Sequence, residues 1–135
     1  LPDVPYEEKK EFDSIFKKHD IDFISLIAPT SEERISKIAK DSSGFIYCVS
    51  SLGVTGIREN INTNIEKMVN LVKSVNDIPV AVGFGISTPE QAKEMSKHAD
   101  GVIVGSAIVK LCEEYGEDSP IYVGKYVREM KKAIL

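Results

Sequence analysis

No stretch of this chain is apolar for long enough to cross a bilayer. The longest runs, around Ile78–Phe84 and Gly101–Val109, fall well short of the ~18 residues a span needs. The N-terminus is acidic and does not read as a secretory signal, so a cytoplasmic location is expected. Cysteine is scarce: Cys48 and Cys112 are too few and too far apart for a metal motif or a disulfide framework, and both are expected as buried, reduced thiols. No Asn-x-Ser/Thr sequon occurs. Blocks of one charge are also missing, because 17 Lys+Arg are interspersed with 21 Asp+Glu for a net charge of −4. That balance argues against a general grip on nucleic acid. At 135 residues there is room for one ordinary domain and not for two.

What is present suits a folded core, with 42% hydrophobic and 28% charged residues. Leu1–Pro5 reads as the tail of a strand running into a loop, and Tyr6–His19 as an amphipathic helix with Phe12, Ile15 and Phe16 on one stripe. Four short apolar runs follow, at Asp22–Ala28, Phe45–Ser50, Pro79–Phe84 and Gly101–Gly105, each leading into a helical pattern. Thr30 or Ser31 is expected to cap the first of these helices, with Glu33 completing a capping box from Thr30. Ser51–Asn64 reads as a long polar loop before a helix over Ile65–Val75. Thr88-Pro89-Glu90-Gln91 opens another helix, Ala107–Tyr115 forms a short one, and Ser119-Pro120 starts a last one reaching Ile134.

Alternating short strands and helices predict a parallel sheet built by right-handed crossovers, covered on both faces. A doubly wound nucleotide-binding sheet would carry Gly-x-Gly-x-x-Gly after its first strand, and no such fingerprint is found. The pattern instead fits the second half of a TIM (β/α)8 barrel, an α/β half-barrel of four parallel strands with helices. Glycine recurs where three of the strands end: Gly53 and Gly56, Gly83 and Gly85, then Gly105-Ser106. Backbone amides that glycine leaves accessible, beside the open N-terminus of a helix, are suited to a phosphate dianion.

These motifs carry a resemblance. Pro2-Asp3-Val4-Pro5, Ala28-Pro29-Thr30, Tyr47 with Ser50–Gly56, Val82–Ser87 followed by Pro89-Glu90-Gln91, and Gly105–Lys110 together resemble the C-terminal half of the tryptophan synthase α-subunit family, over essentially all 135 residues. The resemblance implies strand-helix units five to eight of a barrel lyase without a metal or other cofactor. That lyase cleaves indole-3-glycerol phosphate to indole and glyceraldehyde 3-phosphate, in a heterotetramer with a β subunit. It further implies phosphate binding by Gly56, Gly85, Gly105 and Ser106, a substrate pocket from Tyr47, Thr55 and Phe84, and a β-facing loop at Asp3. Ser51 stands where bacterial relatives often carry Arg, so the contacts of that Arg are not carried over.

Cleavage by this route needs a proton delivered to the indole ring and another removed from a hydroxyl. Asp22, Asp77 and Asp100 precede their strands, on the stability end of a barrel, and Asp3 is the one carboxylate expected at a strand exit. No catalytic residue is assigned, and the resemblance implies that the acid and base come from the other half. Inactivity alone is therefore expected, as is self-association, because a half-barrel leaves two sheet edges and an inner apolar face unpaired. Two alternatives stay open: a non-enzymatic α/β module for a phosphorylated metabolite, and another phosphate barrel such as a phosphoribosyl isomerase.

Overall fold

The fold is described from a computed structural model for residues 4–49, 58–83 and 85–135, the side chains of 58–64 excepted. A 3-10 turn at Tyr6–Glu8 leads into α1 (Lys9–Lys18), and the order continues β1 (Ser25–Ile27), α2 (Glu32–Lys40), β2 (Ile46–Val49) and α3 (Arg58–Val75). Then come β3 (Val80–Gly83), α4 (Pro89–Met95), β4 (Gly101–Ile103), α5 (Ser106–Tyr115), a second 3-10 turn and α6 (Ser119–Ile134). The four strands pair in the order β1-β2-β3-β4, all parallel, with Tyr47 beside Ala81 and Gly83 beside Ile103.

Three expectations change, at the 51–64 loop, at Thr30 and at Cys112, while the inner face is left open as expected of a half-barrel. Ser25, Ile27, Ile46, Cys48, Val80 and Val82 are buried, while Leu26, Tyr47, Val49 and Ala81, on the opposite face, are only half-buried. Successive right-handed crossovers return each helix to the same side when strand order never reverses, and a doubly wound sheet needs that reversal. The covered face meets Ile35, Ile38 and Ala39 of α2, Met68, Val69 and Val72 of α3, Ala92 and Met95 of α4, and Met130 of α6. The loop expected at 51–64 ends early, because α3 starts at Arg58, and residues 50–57 lie outside the description. The stretch 58–64 holds no Gly or Pro to stop a helix, and Ile61 stands four residues before Ile65, in line with the apolar stripe that continues through Met68, Val69 and Val72. The capping box placed at Thr30 is not made either. Ser31 is the cap, accepting from the Arg34 amide, which leaves Glu33 out of the reciprocal position.

Cysteines divide. Cys48 is fully buried, and burial pushes its thiol up to about 12. Cys112 is exposed on α5, contrary to expectation.

The amino end of the sheet is braced by side chains. Asp100 Oδ2 accepts from the Val80 amide at 2.8 Å and from Lys73 Nζ at 2.8 Å, and Lys73 also reaches the Ile78 carbonyl. These partners hold the Asp100 carboxyl below the usual carboxylate range, Lys73 contributing most. Asn76 ties α3 to α2 by donating to the Ala39 and Ser42 carbonyls while accepting from Ile78.

Candidate functional site at the carboxyl ends of the strands

β3 and β4 are in register at Gly83 and Ile103, and Gly85 and Gly105 each stand two residues beyond that pair. Both glycines therefore emerge at the same end of two neighbouring strands. Gly85 adopts φ +72°, a left-handed conformation that side chains resist. Gly105 directly precedes α5, and a Cβ there would meet no atom of the described residues within 4 Å.

The N-terminus of α5 is chemically bare. α2 is capped by Ser31, and α4 by Thr88 and Gln91 in a reciprocal box, whereas Gly105 supplies no side chain and the first turn of α5 carries no acid. The Ser106 and Ala107 amides meet no acceptor among the described residues, while those of Ile108 and Val109 already reach the Gly105 carbonyl. Unpaired amides at the positive end of a helix favour an anion.

The turn carrying Gly85 is held firmly. Gln91 Oε1 accepts from the Ser87 amide at 2.8 Å, the Ser87 hydroxyl and the Thr88 amide, and Tyr126 donates its hydroxyl to the Ser87 carbonyl at 2.8 Å. Sequence reading placed Gln91 in the helix start but gave Tyr126 no role, because a contact across 39 residues leaves no local pattern.

Tyr47 lies on the uncovered face of β2. Its ring leans along the sheet toward the carboxyl end, crossing from the Ala81 level to Gly83, where an added Cβ would sit 2.5 Å from Tyr47 Oη. Gly83 thus has a use that its place in a glycine-rich motif did not reveal. Gly56, Thr55, Phe84 and Asp3 lie outside the described residues, so the structure brings together Gly85, Gly105 and Ser106, with Tyr47 on the neighbouring strand.

Carboxylates at this end are more numerous than the sequence reading allowed. Glu32 and Glu33 open α2 and Glu90 opens α4, although all three are exposed. Among the described residues, the carboxyls whose titration is shifted, Glu7 by Arg34, Glu94 by Lys97 and, at the amino end of the sheet, Asp100 by Lys73, all move down, opposite to the need of a general acid. No group of three or more His, Cys, Asp or Glu among the described residues could hold a metal ion.

A family model described as tryptophan synthase alpha chain matches residues 1–134. The chain belongs to the tryptophan synthase alpha chain family. It is 46% identical over 134 residues to the tryptophan synthase alpha chain of Lacticaseibacillus casei, covering 99% of this chain and 50% of that one. A Bacillus pumilus relative of the same name is 53% identical over 113 residues, 84% of this chain and 42% of that protein. The solved tryptophan synthase subunit alpha from Campylobacter jejuni superposes with a TM-score of 0.86 at 33% identity, over 96% of this chain and 52% of its own. The chain spans about half the length of the relatives it matches. Membership in the tryptophan synthase alpha chain family settles the half-barrel reading and removes the phosphoribosyl isomerase alternative. No helix among the described residues is long and apolar enough to cross a membrane.

Proposed function

We propose that this chain supplies the phosphate-binding half of a lyase that splits indole-3-glycerol phosphate by retro-aldol cleavage into indole and glyceraldehyde 3-phosphate. One observation carries the reading: Gly85 and Gly105 leave adjacent strands at matched positions, beside the uncapped amides of Ser106 and Ala107. In this reading Gly85, Gly105 and Ser106, joined by Gly56, hold the phosphate through backbone donors. No Lys or Arg is needed.

Tyr47 and Phe84 would flank the indole, and Thr55 would lie on the loop that closes over the substrate. The lean of the Tyr47 ring toward the carboxyl end supports its part. Asp3 would face a β subunit in a cytoplasmic heterotetramer. The proton donor and acceptor are assigned to residues outside these 135. A metabolite-binding module without catalysis is the second reading, and turnover separates the two.

Titration with inorganic phosphate, followed by amide chemical shifts, should move Gly85, Gly105 and Ser106 together. Gly85→Asp or Gly105→Asp should abolish binding, because a carboxylate would occupy the place of the anion. Unchanged affinity in both variants refutes the phosphate site. Indole release from indole-3-glycerol phosphate is expected from the full-length polypeptide and not from these 135 residues alone. Appreciable turnover by the 135 residues would overturn the placement of the acid and base.

A further inference from the structure

We propose that Tyr126 is a positioning residue for the phosphate site, its hydroxyl fixing the Gly85 turn relative to the N-terminus of α5. The inference rests on the phosphate reading above and extends it to α6, which carries none of the residues assigned to the phosphate.

The ties made by Gln91 to Ser87 and Thr88 are local, three or four residues apart, so they set the shape of the turn without setting its place. The Tyr126 bond is of another kind. It crosses 39 residues and originates on α6, which packs against both α4 and α5. α4 follows the Gly85 turn and α5 begins at the Gly105 donors, so one helix touches the supports of both halves of the cradle. A binding constellation keeps its affinity only when its donors stay within about 0.5 Å of the productive geometry, which local bonds on one side cannot ensure. The ring of Tyr126 is packed against the core cluster, so the hydroxyl is delivered from a fixed base.

The test is calorimetric titration of the full-length enzyme with inorganic phosphate and, separately, with indole, in wild type, Tyr126→Phe and Gly105→Asp. Tyr126→Phe keeps the ring and removes one hydrogen bond, so the phosphate dissociation constant should rise about five-fold. The indole dissociation constant should stay within about two-fold, since general loosening of the fold would weaken both ligands. Phosphate affinity unchanged in Tyr126→Phe but lost in Gly105→Asp overturns the positioning role and leaves the phosphate site standing. Equal weakening of phosphate and indole also overturns it. Unchanged phosphate affinity in Gly105→Asp takes the α5 N-terminus out of the site, and the positioning role falls with it.

Discussion

Gly83 and Gly85 sit two residues apart and owe their identity to different physics. Gly85 is required by its backbone, at φ +72°, whereas Gly83 has no left-handed conformation and is required by the Tyr47 ring that lies across it. The sequence showed both as members of one glycine-rich strand end. It could not separate them, because the Tyr47 contact joins residues that only strand register brings together. Gly83→Ala should therefore cost about 1 kcal/mol, as the ring is pushed off the strand. In a Tyr47→Ala background the same change should be nearly neutral, and a double-mutant cycle by urea unfolding measures the coupling. Equal costs in the two backgrounds would show that the ring is not what Gly83 accommodates.

Elements whose signals are local were legible, and those that depend on distant partners were not. α4 starts where Thr88, Pro89 and Gln91 place it, since a capping box is complete within four residues. The start of α3 was missed because six of the seven residues at 58–64 are polar and read as loop, although the single apolar one, Ile61, is in helical phase with Ile65, Met68 and Val72. The brace between α3 and the β4 entry was half legible: Asp100 was placed at the stability end, but Lys73 and the Val80 amide as its partners were not foreseen. Because the Asp100 carboxyl is held below its ordinary value, its stabilising effect is present above about pH 4 and is lost as pH falls through the lowered value. Asp100→Asn should lower stability at neutral pH on the order of 1 kcal/mol, a figure discounted because the side chain is 49% exposed. The gap between wild type and variant should close in acid, read from urea midpoints between about pH 6 and pH 2. A gap that stays constant with pH would mean that the charge of Asp100 is not involved.

For the molecule as a whole, strand-helix alternation was enough to specify four parallel strands in sequential order. The open inner face followed from the half-barrel reading and not from the strand pattern itself, because Leu26, Tyr47, Val49 and Ala81 are as apolar as the residues that the helices bury. A polypeptide of these 135 residues alone leaves that face half-open and the outer edges of β1 and β4 without neighbours among the described residues. It should self-associate in a concentration-dependent manner, which sedimentation velocity would register, while a monomer persisting at high concentration would contradict the expectation. The Asp100 and Asn76 braces lie at the amino end of the sheet, whereas Gly85, Gly105 and Ser106 lie at the opposite end. That separation leaves the turns beyond β3 and β4 open to remodelling: libraries confined to them can search for new anionic ligands while the struts that keep the scaffold folded stay untouched.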